Sequence, residues 1–305
     1  PYYYLERMLN SIIHHCNIYK VLNKMKFIVA ADTQLGLYSH FSNIKNESEI
    51  RSDRLESKEF VKLDFLNLKP TSSLDFEISN FYTLLNEIND ENFSFLTILG
   101  DLINDADDQN QLNAFQATIN NFSKNKKIYL VPGNHDVCIP AKEDKMSDYA
   151  LNLYRERFGP DYYKVEHDNL KLIFLNSSIF RNHKNFLKDY NNQLNLLKDA
   201  VHGYDEDLFI FMHHPLYAED VNEDKSTWNI DKETRLEIID ILSNHNKSVN
   251  IFSGHMHQNK INNYKNIKNI VVSSIGVPLG NDPSGYYKVN YENKNLNYTF
   301  ELLGD

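Results

Sequence analysis

Lys127-Ile128-Tyr129-Leu130-Val131-Pro132-Gly133-Asn134-His135-Asp136 is an apolar run that stops at a polar cluster. Five residues rich in Ile, Leu, Val and Tyr read as a buried strand, and Gly-Asn is a common turn pair. The same pattern recurs four times. The run 27–31 ends in Asp32-Thr33-Gln34, and 95–99 ends in Gly100-Asp101. The run 208–212 ends in His213-His214-Pro215, and 249–252 in Ser253-Gly254-His255-Met256-His257. Segments of helical periodicity lie between them, at 75–89, 111–122, 146–158, 192–201 and 232–244. Strands alternating with helices imply crossover units and a largely parallel core. Residues 170–175 read as a further strand, paired with 163–166. Toward the end, 267–274, 285–291 and 296–302 read as consecutive antiparallel strands joined by short polar turns.

The chain has 305 residues, which suits one large domain or two small ones. Its formal net charge of −10 argues against a partner that is nucleic acid or an anionic membrane surface, since both select for positive charge. No apolar run approaches the roughly 20 residues needed to span a bilayer. Two cysteines far apart, Cys16 and Cys138, make no disulfide framework and favour a reducing, cytoplasmic setting. Residues 1–24 form a leader in which 4–22 has the spacing of a short amphipathic helix. Residues 25–305 then read as one domain. It carries a polar, poorly periodic insert at 38–74, of a length that marks a functional flap or a disordered segment.

Each cluster places metal-ligating residue types at a strand end, where open α/β sheets bind their ligands. These are Asp32, Gln34, Asp101, Asn134, His213, His255 and His257. Singly, each has an ordinary explanation: Asp32 as a helix cap, Asp101 as a turn residue, His213 as a hydrogen-bonded core histidine. Five strand ends all presenting oxygen or imidazole donors point instead to a metal centre.

The blocks Asp-x-x, Gly-Asp, Gly-Asn-His-Asp, His-x-Pro and Gly-His-x-His, in that order, resemble the calcineurin-like metallophosphoesterase superfamily. The resemblance runs from about Phe27 to the C-terminus. Ala31-Asp32-Thr33-Gln34-Leu35-Gly36-Leu37, Ser273-Ser274-Ile275-Gly276 and the segment from Leu279 to Gly285 are similar to one branch. It is the calcineurin-like phosphoesterase-domain-containing protein 1 group, described as serine/threonine protein phosphatases. The resemblance implies a four-layer α/β/β/α sandwich of two mixed sheets flanked by helices, which refines the parallel reading. It also implies a metal-dependent hydrolase of phosphomonoesters, including phosphoproteins, with two divalent ions. Asp101 would bridge them; Asp32 and His257 would hold the first, and Asn134, His213 and His255 the second. His213 is preferred to His214 because the ligand histidine stands two before the proline. His135 matches the catalytic histidine, acting on the leaving oxygen, and Asp136 would orient the loop or His135. His214 is expected at the substrate.

Phosphate monoesters resist attack because the dianion repels nucleophiles. Two metals about 3.5–4 Å apart neutralise it, clamp the attacking and leaving oxygens, and make hydroxide at neutral pH. Two dications against the charges of Asp32 and Asp101 leave a net positive site. Gln34 stands where the superfamily usually has histidine. Its hard oxygen, direct or through water, favours manganese or magnesium over iron or zinc. Asn104 occupies the position of the iron-bound tyrosine of purple acid phosphatases, which disfavours that chemistry; it would contact substrate or cap a helix. The glycines of 276–285 allow either approach to the site or a plain turn. A class III cyclic nucleotide phosphodiesterase shares these motifs and this logic. A superfamily nuclease fits the negative charge poorly, and a metal-poor scaffold of this fold would have lost ligands that are kept here.

Overall fold

The computed structural model describes residues 24–43, 69–122, 126–140, 145–167, 170–279 and 281–304. The proposed leader helix and the middle of the 38–74 insert fall outside those residues. One sheet contains β1 (Lys24–Ala30), β2 (Phe95–Leu99), β3 (Lys127–Val131), β10 (Gly285–Glu292) and β11 (Asn295–Leu302), in the order β11-β10-β1-β2-β3. β1, β2 and β3 run parallel, while β10 is antiparallel to β1 and β11. The other sheet contains β4 (Tyr163–His167), β5 (Leu170–Phe174), β6 (Leu208–Phe211), β7 (Val249–Ser253), β8 (Lys260–Tyr264) and β9 (Ile267–Val271), in the order β4-β5-β6-β7-β9-β8. Its four inner strands are parallel and both edge strands antiparallel.

The eight helices of the described residues are α1 (Leu37–Ser42), α2 (Asp75–Asn89), α3 (Gln109–Asn120), α4 (Asn134–Val137), α5 (Asp148–Phe158), α6 (Ser177–Arg181), α7 (Leu187–Val201) and α8 (Lys232–Ser243). None is long and apolar enough to cross a membrane. α2 packs beside α3, and α7 beside α8. Side chains on a strand alternate between faces, so each central strand feeds two cores. Phe27 and Val29 of β1 join Phe95, Phe174, Phe209, Phe211 and Phe252 in the layer between the sheets. Ile28 and Ala30 belong instead with helix residues such as Phe81, Leu84 and Phe115. That double use makes the strands apolar throughout and produces the expected α/β sandwich of two mixed sheets flanked by helices.

Two strand readings change. β8 (Lys-Ile-Asn-Asn-Tyr) is an edge strand whose polar residues carry little β propensity, so it was not visible in the sequence. β9 is parallel to β7 and does not pair with β10, because the chain changes sheets between them. The first turn of α7, with exposed Leu187 beside Lys188 and Asp189, hides the helical period.

Phe27 is fully buried, stacks on Phe95 with ring centres 4.9 Å apart, and meets Phe209, Phe211 and Phe252 of the opposite sheet edge-on. Phe27→Ala is expected to lower unfolding free energy by about 3–5 kcal/mol in a urea titration. A change under about 1 kcal/mol would mean that the sheets do not depend on this contact.

Candidate dinuclear metal centre

Both sheets deliver side chains to one point beyond the carboxyl ends of their parallel strands. Asp32 and Asp101 follow β1 and β2; His213 follows β6, and His255 and His257 follow β7. Oxygen and nitrogen donors of Asp32, Asp101 and His213 lie within 4.8 Å of one another. His213 Nε2 is 3.3 Å from Asp101 Oδ2, 3.2 Å from Asn134 Oδ1 and 3.0 Å from His255 Nδ1. His257 Nε2 is 3.5 Å from Asp32 Oδ1. His213 is common to two groups of donors, one with Asp32 and Asp101 and one with His214 and His255.

Backbone carbonyls hold the imidazoles from behind. His213 Nδ1 lies 2.7 Å from Leu99 O, His255 Nε2 2.7 Å from Thr227 O, and His257 Nδ1 2.5 Å from Val277 O. A carbonyl only accepts, so each of these nitrogens donates its proton outward and the other nitrogen faces the cluster. His213 Nε2 and His255 Nδ1 face each other across 3.0 Å, sharing a proton when His213 is charged and opposing lone pairs when both rings are neutral. A cation between them removes that repulsion. Gln34 adds a second sign: its Nε2 donates to Asn104 Oδ1 at 3.2 Å, while its buried Oε1 has no hydrogen-bond partner. An orphaned, buried hard oxygen fits a divalent ion.

The carboxylates are short of positive charge. Burial, opposed by His213 and reinforced by Asp101, pushes Asp32 up to about 8. Burial and then the Asp101 charge push Asp136 up to about 8. Burial also disfavours charge on Asp101, but His213 and His135 outweigh it and hold Asp101 well below the usual carboxylate range. Burial opposes a charged His213, yet Asp101 and Asp32 prevail and push it up to about 9. Burial, then His213, holds His255 well below the usual imidazole range. Three buried carboxylates around one favoured imidazolium suit replacement of its proton by dications.

Two glycines make the approach possible. A Cβ on Gly133 would lie 2.0 Å from Asp101 Oδ1, and one on Gly254 would lie 2.5 Å from Asp32 Oδ2. Asp32, Gln34, Asp101, His255 and His257 all have positive φ, between 35° and 69°. Such backbone costs about 1–3 kcal/mol per residue and persists only where surrounding structure enforces it. The other non-glycine positive-φ residues among those described, Lys265, Asn293 and Lys294, are in hairpin turns.

Asp136 straps two strand ends together: Oδ1 accepts from Leu102 N–H at 2.9 Å, and Oδ2 from Gly133 N–H at 2.8 Å. His135 is oriented elsewhere. Its N–H donates to Asp101 Oδ1 at 2.9 Å, and its Nδ1 lies 2.7 Å from Asn104 O. Asn104 thus joins Gln34 to His135; the cap of α3 is Asp108, not Asn104. His214 does not reach the surface of the site. It is fully buried, with Nδ1 2.8 Å from Ser177 Oγ and its ring 4.3 Å from that of His255, and it forms with His213 and His255 a second group whose donor atoms lie within 4.8 Å of one another. The 276–285 segment does approach the site, through Val277 O and through Gly276 N–H donating to Asp32 O at 3.0 Å. Sequence reading missed Thr227, Val277 and Ser177. The first two act through backbone carbonyls, which leave no trace in residue type.

A two-sheet sandwich with carboxylates and imidazoles gathered at its strand ends is the architecture of a metal-dependent phosphoester hydrolase. Residues 25–259 match the calcineurin-like phosphoesterase family, and the chain belongs to it. That family uses two divalent ions. The chain is 26% identical over 273 residues to the serine/threonine-protein phosphatase CPPED1 of Pongo abelii and to that of Homo sapiens, covering 85% of this chain and 77% of each relative. In fold it resembles a dimetal phosphatase from Danio rerio (TM-score 0.54, 16% identity, 92% of this chain and 99% of that one). It also resembles the purple acid phosphatase PPD1 of yellow lupin (TM-score 0.61, 11% identity, 93% of this chain and 52% of that one).

Gln34→His replaces the unpartnered oxygen by imidazole. Competitive titration of metal-free protein is expected to show zinc gaining on manganese by about tenfold at one of two sites. An unchanged preference would place Gln34 outside the coordination shell.

Proposed function

We propose that the protein is a serine/threonine protein phosphatase that removes phosphoryl groups with two metal ions, manganese or magnesium before iron or zinc. The observation that carries this reading is the convergence of donor side chains from both sheets on Asp101, with His135 bonded to the same carboxylate. The similarity to phosphatases named for serine/threonine substrates supports the substrate class. When bound, the two ions would neutralise the phosphoryl oxygens and supply the nucleophile. Asp101 would hold them at a fixed spacing. Asp32, Gln34 and His257 would serve one, and Asn134, His213 and His255 the other. His135, fixed by Asn104 O and Asp101, would donate to the departing serine or threonine oxygen. Asp136 keeps the loops carrying Asp101 and Asn134 in register. The negative net charge counts against a nucleic acid or anionic membrane partner. Two widely spaced cysteines, Cys16 and Cys138, support a cytoplasmic setting.

Metal-stripped protein given manganese or magnesium is expected to release phosphate from a phosphoserine peptide. His135→Ala should lower that rate by about 10²–10⁴-fold, and Asn134→Ala should lower both rate and metal content. Hydrolysis of cyclic AMP with none of the peptide would instead assign the protein as a cyclic nucleotide phosphodiesterase.

A further inference from the structure

Residues 212–231, between β6 and α8, contain no helix or strand. A connection that long must anchor its backbone polar groups on side chains or water. Glu223 supplies part of the anchor. Its Oε1 accepts Ala218 N–H at 2.7 Å, and its Oε2 accepts Glu219 and Asp220 N–H at 2.7 and 3.0 Å. Arg235, in the first turn of α8, is fully buried and donates to the carbonyls of Leu216 and Ile230 at 3.4 and 3.2 Å and to that of Glu223. Arg181, the last residue of α6, donates to Ser226 O at 3.1 Å and to Asn229 O. Asn229 closes the ring, giving its amide protons to the Glu223 carboxylate and to Asp224 O and accepting Ser226 N–H at 2.9 Å.

The two residues framed by Ser226 and Asn229 are those that meet the site. Thr227 O accepts the His255 Nε2 proton at 2.7 Å, and the Trp228 ring centre lies 5.6 Å from that of His255. Burying a guanidinium is unfavourable unless its donors find fixed acceptors. Here the fully buried Arg235 and the half-buried Arg181 both donate to carbonyls of one irregular loop, Arg235 also lying 3.7 Å from the Glu223 carboxylate, and Arg181 holds both sides of the loop tip.

We infer that Arg181, Glu223 and Arg235 are positioning residues for the metal centre: by fixing the Thr227 carbonyl they set the tautomer and aim of His255. The inference rests on the reading of His255 as a ligand and not on which phosphoester is cleaved. Arg181 is the most direct of the three: one nitrogen, Nη1, reaches both carbonyls, a contact that a lysine ammonium can keep in part.

The test is manganese titration of metal-free protein followed by electron paramagnetic resonance, which counts free ion, with ¹⁵N NMR of the histidine rings before metal is added. Arg181→Met is expected to weaken one of two manganese sites by about 10–100-fold while the other is unchanged. It should also move the His255 ring nitrogens toward mixed tautomers, with little change in melting temperature. Arg181→Lys should recover part of the loss. Glu223→Gln, which keeps the side-chain volume, should weaken the same site. Two unchanged sites in folded Arg181→Met, or equal weakening of both together with a lower melting temperature, would overturn the inference. If unsubstituted protein binds two manganese ions but cleaves no phosphopeptide, the proposed substrate fails while this inference is still decided by the binding data.

Discussion

Asp101 stands where the two sheets meet, 2% exposed, with His213 of the second sheet 3.3 Å from one oxygen and the His135 amide 2.9 Å from the other. A carboxylate taken out of water must be compensated by charge or hydrogen bonds. Much of the local structure follows from that requirement. Gly133 lacks a side chain because any Cβ would occupy the place of Asp101 Oδ1. Asp136 ties the loop after β3 to the loop after β2, so that the donors around Asp101 cannot drift apart. The imidazoles of the second sheet turn their inner nitrogens to the cluster because backbone carbonyls take their outer protons.

The strain of this arrangement lies in the backbone. Five of the proposed ligands occupy the left-handed region immediately after their strands. Their cost has to be met by the layer of stacked and edge-on phenylalanines between the sheets, which fixes the strand ends on which those residues stand. A core built for rigidity and a site built for close charge packing are therefore one design: softening the first would let the second relax.

The parallel core strands and the polar residues gathered at their ends were legible because each strand is a short apolar run and each polar cluster interrupts it. β8 was not legible, since an edge strand written Lys-Ile-Asn-Asn-Tyr has no apolar alternation. The sheet change between β9 and β10 was hidden because local sequence carries no information about which sheet a strand joins. Within the site, the motif spacing pointed to Asp32, Asp101, Asn134 and the three histidines, and the structure brings them together. His214, expected at the substrate, is closed off and bonded to Ser177 while its ring stays grouped with His213 and His255. Asn104 was assigned a side-chain role, and the structure adds a carbonyl that orients His135. Contributions made by backbone atoms, as at Thr227 and Val277, become visible only when the chain is folded.

Anomalous diffraction from crystals soaked in manganese tests most directly whether the two sheets jointly hold two metal ions. The expected result is two peaks about 3.5–4 Å apart, both in contact with Asp101, one beside Asp32 and His257 and the other beside Asn134, His213 and His255. A single peak, or two peaks of which Asp101 touches only one, would contradict the bridging role on which this description of the site depends.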